Sequence, residues 1–215
     1  MIAVLASRLD PESCATVDAW SSADAALLSA EDLVCPGWAF SVGDPLRGTA
    51  VVDGRRISTA NITAVLTRRP SVLPEELGRI HPADRAYVAA ETNAFLVAWL
   101  SALPRTVVNR PTTTSLCGPA WDRLHWQCAA ARIGLAWSDA DETSDTHEVV
   151  VCGNRCVCAH DARESAMATA LSRAAGTELL GVRFHRGKIA RVTVALSLTD
   201  GDVRASLLDH LLGRA

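Results

Sequence analysis

Residues 1–20 read MIAVLASRLDPESCATVDAW, and this stretch decides the fold class. The apolar run at residues 2–6 predicts a buried strand. Asp10-Pro11-Glu12 then predicts a helix start, with Asp10 as the N-cap and Pro11 as the first helical residue. A strand followed at once by a helix is typical of layered α/β folds.

The overall composition is that of a globular chain. It has 215 residues and a mass of 22.8 kDa, with 49% apolar and 21% charged residues, close to the average of folded domains. The formal net charge of −3 does not indicate a nucleic-acid partner, and no apolar run reaches the ~18 residues of a membrane-spanning helix. The first residues lack the pattern of a signal peptide. We therefore expect a cytoplasmic protein that binds neither nucleic acid nor membrane.

Further elements of the first half follow from turn signals and periodicity. Asp53-Gly54, between two short β-rich runs, predicts a hairpin over residues 48–62. Residues 21–34 predict a short helix followed by a strand. Apolar runs at residues 62–66 and 106–109 predict two more strands. A three- and four-residue apolar spacing predicts a long helix over residues 82–103.

The second half alternates hairpins and helices. Gly153-Asn154 predicts a hairpin over residues 148–159, and Arg186-Gly187 joins strands at residues 179–184 and 189–196. The predicted helices cover residues 119–133, 165–175 and 203–212. A polar, acidic stretch at residues 138–146 marks the expected boundary between two domains. We expect an α/β fold: a mostly parallel sheet with helices on both faces over residues 1–137, then a smaller domain with antiparallel strands over residues 146–215.

Four short motifs occur in order along the first part of the chain. They are Leu66-Thr67-Arg68-Arg69-Pro70 at a strand end, Ala90-Glu91 on a helix, Asn109-Arg110-Pro111 at the next strand end, and a helix beginning Asp122-Arg123-Leu124-His125-Trp126-Gln127. Their order resembles the pre-ATP-grasp domain of the ATP-grasp ligases that crosslink ribosomal peptides such as microviridins, and of their RimK-like relatives. The resemblance implies a pre-ATP-grasp domain at residues 1–137.

Two later segments resemble strands of the ATP-grasp catalytic core. They are VVVCGNRCVCA at residues 149–159 and LLGVRF at residues 179–184. In members of that superfamily a nucleotide-binding central subdomain precedes these strands, whereas only residues 136–148 stand in that place here. The resemblance implies a shortened ATP-grasp core at residues 146–215, without that subdomain.

The sequence also lacks the residues that the superfamily uses for catalysis at the corresponding positions. ATP-grasp enzymes hold the ATP phosphates with lysines, and bind Mg²⁺ with an Asp and with a Glu-x-Asn pair on the final strand. Here Lys188 is the only lysine, and residues 189–196 read IARVTVAL. A transferred phosphoryl group needs metal ions and cationic side chains to neutralise its charge. The resemblance thus implies ATP-grasp ancestry and argues against ATP and Mg²⁺ as cofactors of an ordinary ligation.

Arg68 and Arg69 follow a predicted strand directly, where α/β folds place ligand sites. Two guanidinium groups can clamp a carboxylate or phosphate. The alternative is a structural pair of salt bridges to acids such as Glu75, Glu76 or Glu91. The full set of ligand-binding candidates, which the resemblance helps to define, is Arg68, Arg69, Glu91, Asn109 and Arg123.

The seven cysteines are an odd number in a chain expected to be cytoplasmic, which argues against a disulfide framework. Cys152, Cys156, Cys158 and His160 have the spacing C-x3-C-x-C-x-H. On a strand, the last three side chains would share a face, so a zinc or copper site, or a reactive thiol, is one interpretation. The other is that these cysteines are small apolar residues packed against a helix.

Three hypotheses for function follow. The first is a non-ligase ATP-grasp homologue that acts as a binding or accessory subunit in peptide or amino-acid modification, paired with itself or with a full-length ligase. The second is an enzyme of another reaction class that uses Arg68 and Arg69, with either Cys117 or the Cys152–His160 cluster, on a peptide or amino acid. The third is a metal or redox protein built on the cysteine hairpin. The catalytic residues, and whether the chain is an enzyme, stay open at this point.

Overall fold

The computed structural model describes residues 1–139 and 145–214. These residues form two compact units, one at residues 1–118 and the other from residue 119 onward. The expected boundary at residues 138–146 lies later in the chain, and part of it falls outside the described residues. The units divide earlier because the helix after Pro119 packs on the second hydrophobic core, through Trp126 and Ala130.

The first unit contains a parallel sheet and a hairpin. Its strands are β1 (Ile2–Leu5), β2 (Ala25–Leu28), β3 (Thr49–Val52), β4 (Arg55–Ser58), β5 (Ala64–Thr67) and β6 (Thr106–Val108). Its helices are α1 (Pro11–Ala19), α2 (Ala30–Leu33) and α3 (Arg85–Ala102). The parallel sheet has the order β2-β1-β5-β6, and β3 pairs with β4 in the predicted hairpin.

Local sequence signals explain most of these elements. Asp10 caps α1 by accepting a hydrogen bond from the Glu12 amide, and Pro11 is the first helical residue. In the region predicted as a short helix followed by a strand, a helical turn at Ser21–Ala23 precedes β2, and α2 follows as an additional element. Ser29 and Asp32 form a capping box, which starts α2 immediately after β2.

A large apolar cluster of the first unit joins one face of the parallel sheet to α3. Leu5, Leu28 and Val65 from the sheet pack with Trp99 and Leu100 from α3, and all five are buried. The rings of Trp38 and Trp99 meet edge to face, with centroids 5.3 Å apart, a favourable geometry for aromatic pairs.

The second unit is built on an antiparallel sheet. Its strands are β7 (His147–Cys152), β8 (Arg155–Val157), β9 (Leu179–His185) and β10 (Lys188–Thr193), in the order β10-β9-β7-β8. Its helices are α4 (Arg123–Arg132), α5 (Ala162–Ala175) and α6 (Gly201–Leu211). Its core combines sheet residues such as Val149 and Phe184 with Leu171 of α5.

The α/β fold class predicted from the sequence is confirmed: a parallel four-stranded sheet is followed by an antiparallel one. None of the helices within residues 1–139 and 145–214 combines the length and apolar character that crossing a bilayer requires.

Candidate functional site

The carboxyl end of the parallel sheet brings together several of the predicted residues. Arg68 follows β5, and its backbone amide donates to the Leu5 carbonyl at the end of β1. Asn109 follows β6, whose register with β5 pairs Leu66 with Val108. Since the carboxyl ends of parallel strands share one edge of the sheet, Arg68 and Asn109 both lie at that edge.

Arg68 is largely buried at this edge. Its guanidinium Nη2 lies 3.4 Å from Glu12 Oε2, and its side chain is 10% exposed. Burial lowers the pKa of Arg68, while the charges of Asp10, Glu12 and Cys117 act in the opposite direction. The first turn of α1 therefore compensates much of the arginine charge.

Arg69 has a different environment from its neighbour. Its Nε donates to the Ser71 carbonyl at 2.9 Å, and its Nη2 pairs with the Glu76 carboxylate. Its side chain is 8% exposed, and burial lowers its pKa. Arg68 and Arg69 therefore pair with different carboxylates. The ion pair between Arg69 and Glu76 is one of the structural salt bridges that the sequence offered as the alternative to a clamp of two arginines.

Asn109 is buried and has a φ of 52°. Asn is one of the few residues that tolerate this left-handed conformation. A Cβ atom on Gly118, whose φ is 94°, would lie 3.0 Å from the Cβ of Asn109, so the glycine allows the chain to pass close to the asparagine. The conformation and the close approach define a tightly built corner beside Arg68.

Arg110, next to Asn109, has a structural role that the sequence did not reveal. Its guanidinium donates to the carbonyls of Leu100, Ser101, Leu103 and Arg105 at distances between 2.9 and 3.3 Å. These carbonyls lie at and just beyond the C-terminal end of α3, where helices leave unsatisfied acceptors. The arginine thereby holds the end of α3 against the start of β6.

The other two ligand-binding candidates belong to helices. Glu91 is exposed on α3. Arg123 belongs to the second unit, where it is exposed at the start of α4 and lies 4.0 Å from Asp139 Oδ1. Arg68 and Asn109 are therefore the candidates that the first unit brings together.

The structure does not gather the cysteine hairpin into one ligand set. Cys152 is fully buried on β7, and burial raises its pKa to about 11. Cys156 Sγ contacts the Ser165 carbonyl and the Thr169 hydroxyl at 3.5 and 3.3 Å. Cys158 is exposed and has a φ of 62°. Strand β8 ends at Val157, so the side-chain alternation behind the prediction stops before Cys158.

His160 instead belongs to a different group. Within the described ranges, the one cluster of three or more His, Cys, Asp and Glu side chains close enough to share an ion is His147, His160 and Glu164. Their donor atoms all lie within 4.8 Å of one another. His147 Nε2 is 2.5 Å from Glu164 Oε2, and the two imidazole rings stack with centroids 3.9 Å apart.

A pocket of about 640 Å³ adjoins this cluster. It is lined by Asp145, His147, His160, His185 and Arg186. The Nδ1 atom of His185 lies 3.2 Å from the Ser138 hydroxyl. Among these residues the sequence predicted only His160 as a metal ligand, because the group joins a strand, a loop and a helix start.

Comparison with solved structures identifies proteins that have the same arrangement of helices and strands. The chain is similar to the ATP-grasp ligase PsnB complexed with minimal precursor, Mg and ADP, with a TM-score of 0.69, 11% identity and 98% of each chain covered. It is similar to the macrocyclase MdnC bound with precursor peptide MdnA from Microcystis aeruginosa MRC, with a TM-score of 0.73, 9% identity and all of each chain covered.

A third solved structure extends the likeness. The RimK domain protein ATP-grasp from Sphaerobacter thermophilus DSM 20745 matches with a TM-score of 0.55, 16% identity and 99% of each chain covered. No protein-family model and no curated protein matches the sequence. The chain therefore has the fold of the ATP-grasp ligases, as the order of its sequence motifs predicted.

Proposed function

We propose that this chain is an ATP-grasp-fold protein that does not catalyse ligation and acts as a peptide-binding accessory subunit in peptide modification. Two of the solved structures that share its fold are the ATP-grasp ligase PsnB complexed with minimal precursor and the macrocyclase MdnC bound with precursor peptide MdnA. That likeness supports a peptide as the partner, and the chemistry of the second unit supports the loss of ligation.

The observation that carries this proposal is the side-chain set of β10. This strand reads KIARVT and offers neither a carboxylate nor an amide where ATP-grasp enzymes place Glu-x-Asn. Its Lys188 is exposed and follows the Arg186-Gly187 turn. The residues present on β10 therefore do not fit the Mg²⁺ and ATP phosphates of a ligase, and we derive no phosphoryl-transfer step.

The segment before the antiparallel sheet supports the same proposal. Between the end of α4 and the start of β7, the described residues form no helix and no regular strand, only an isolated bridge between Trp137 and Ile189. This is the place where ATP-grasp ligases carry their nucleotide-binding central subdomain.

We further propose that Arg68 and Asn109 contact the peptide at the carboxyl edge of the parallel sheet. Both side chains are polar and largely buried, and they occupy the position where α/β sheets bind ligands. The acids that face Arg68 reduce its attraction for a free phosphate, so a neutral or zwitterionic peptide group suits this edge better than a nucleotide.

Calorimetry tests the loss of ligation. We would titrate the full chain with ATP and Mg²⁺ up to millimolar nucleotide, and expect no saturable heat. Binding in the micromolar range would overturn this part of the proposal, since it would mean that arginines have replaced the missing lysines.

A reconstituted reaction tests the accessory role. The precursor peptide and full-length ATP-grasp ligase of the same host would be incubated with and without this chain, and product formation followed by mass spectrometry. We expect faster conversion with the chain and less stimulation by Arg68→Ala, with the exposed Arg105→Ala as a matched control. Equal rates with and without the chain would contradict the accessory role, and conversion by the chain without the ligase would favour the hypothesis of a separate enzyme.

A further inference from the structure

We propose that His147, His160 and Glu164 bind a divalent transition-metal ion of the zinc class. The three residues come from different elements of the second unit: the first residue of β7, the loop after β8 and the first turn of α5. Their donor atoms lie within 4.8 Å of one another. This site is independent of the proposed peptide role and does not include the cysteines.

The burial of Glu164 is the first argument for a cation. Its side chain is 6% exposed, and the partner 2.5 Å from it is His147 Nε2. A buried carboxylate is costly unless a positive charge or strong donors compensate it. A metal ion shared with the histidines would supply that charge at the carboxylate itself.

The placement of the two imidazoles is the second argument. Their rings stack with an interplanar angle of 14° and centroids 3.9 Å apart, so both imidazoles are at hand, and His160 must turn to direct a nitrogen lone pair at an ion in the plane of the His147 ring. Ligand atoms around a tetrahedral zinc ion lie about 3.4 Å apart, given Zn–N and Zn–O distances of ~2.0–2.2 Å. His160 is exposed, so its side chain can rotate to close the remaining gap.

The scaffold positions the backbones of the other two ligands. His147 pairs with Phe184 across β7 and β9, and its ring also stacks on that phenylalanine at 6.0 Å. The Glu164 amide donates to Asp161 Oδ1, the N-cap of α5, at 2.8 Å. His147 Nε2 and Glu164 Oε2 lie 2.5 Å apart, closer than two ligand atoms on one zinc ion, so their side chains must separate by about 1 Å to admit the ion. Side-chain rotation supplies this shift without rearranging the sheet.

The donor set selects the class of metal. Two imidazoles and one carboxylate suit Zn²⁺ and its first-row neighbours, whereas Mg²⁺ prefers oxygen ligands alone. Three protein ligands leave at least one coordination position for water or substrate. That position would face the pocket that Asp145, His185 and Arg186 help to line, and Arg186 supplies a cationic side chain for an anionic group.

Calorimetry with zinc tests the site directly. The full chain, stripped of metal with a chelator, would be titrated with ZnCl₂ in the presence of excess Mg²⁺. We expect one equivalent to bind. His160→Ala and Glu164→Gln should each weaken binding at least about 100-fold, the upper end of what loss of an outer-shell partner costs. His81→Ala, an exposed histidine outside the group, should bind as the unchanged chain does.

Failure of one equivalent to bind, or equal affinity in the His160→Ala variant, would overturn the proposal. Because His160 is exposed, that variant should fold even if Glu164→Gln does not, and circular dichroism would verify this. Substituting Co²⁺ identifies the ligands: we expect no thiolate charge-transfer band and no spectral change in Cys156→Ser or Cys158→Ser. A strong thiolate band would assign the metal to the cysteine hairpin and contradict this site.

Discussion

Two adjacent arginines illustrate how tertiary contacts assign roles to single residues. Arg68 and Arg69 have the same chemistry and neighbouring positions after β5. The first lies near Glu12 from α1, while the second pairs with Glu76 and binds the Ser71 carbonyl. The same residue type thus meets α1 at one position and the segment after β5 at the next, because the two side chains lie against different segments of the chain.

Cys152 leads to a prediction about alkaline stability. Burial raises the pKa of its thiol to about 11, whereas a thiol in an unfolded chain titrates at about 8.5–9. The unfolded state therefore releases this proton first as pH rises. The contribution of the neutral thiol is fully present below pH 9 and is lost as pH approaches 11, by about 2–3 kcal/mol in total.

Urea unfolding of the full chain between pH 8 and 11 measures this loss. The free energy of unfolding should fall by about 2–3 kcal/mol more in the unchanged chain than in Cys152→Ala, since the variant lacks the titrating thiol. Cys128→Ala removes an exposed thiol and should match the unchanged chain. Parallel pH profiles for Cys152→Ala and the unchanged chain would refute the prediction.

At the scale of elements, a single carboxylate connects a helix start to a hairpin. Asp32 accepts hydrogen bonds from the amide and the hydroxyl of Ser29 at 2.8 and 2.7 Å, and from the Gly54 amide at 2.7 Å. The first two bonds begin α2, and the third holds the turn between β3 and β4. The hydrogen bonds between Ser29 and Asp32 explain why α2 starts directly after β2.

We expect Asp32→Ala to destabilise the protein by about 2–3 kcal/mol, since it leaves the buried Ser29 amide and the part-buried Gly54 amide without their charged acceptor. Asp32→Asn should cost less, because its carbonyl oxygen still accepts. Glu31→Ala is the matched control: Glu31 is exposed and its 3.7 Å contact with Arg8 should contribute under about 1 kcal/mol. Denaturant unfolding checks the order, and equal costs for Asp32→Ala and Glu31→Ala would disprove the connecting role.

At the scale of the whole molecule, each of the two compact units has apolar clusters of its own among the described residues. Residues such as Leu100 and Trp99 belong to the core of the first unit, and Leu171 and Phe184 belong to that of the second. Each core is enclosed by elements of its own unit. Cores built in this way tend to open as distinct cooperative regions.

Matched cavity variants test this independence by hydrogen exchange with mass spectrometry. Leu171→Ala and Leu100→Ala each truncate a fully buried leucine and should cost about 2–5 kcal/mol. We expect Leu171→Ala to lower protection in β7, β9 and α5 and to leave the parallel sheet unchanged. Leu100→Ala should show the reverse pattern. Loss of protection in both units with either variant would indicate one cooperative molecule.

The sequence by itself determined the elements and the fold class. The N-cap at Asp10, the Asp53-Gly54 turn and the Gly153-Asn154 turn each predicted a local structure that the protein has. Such signals work because they depend on hydrogen bonds and backbone preferences within a few residues. The order of motifs also predicted the ATP-grasp fold.

Only the tertiary structure decided the partners of the functional side chains. The Arg69–Glu76 pair, the packing of α4 in the second unit and the His147–His160–Glu164 cluster depend on how distant segments meet. The prediction that joined His160 to the cysteines assumed that β8 continues, whereas Cys158 turns into a left-handed conformation. Side chains alternate between the two faces of a sheet only as far as the strand extends. Beyond the end of the strand, the packing of neighbouring elements determines which side chains come together.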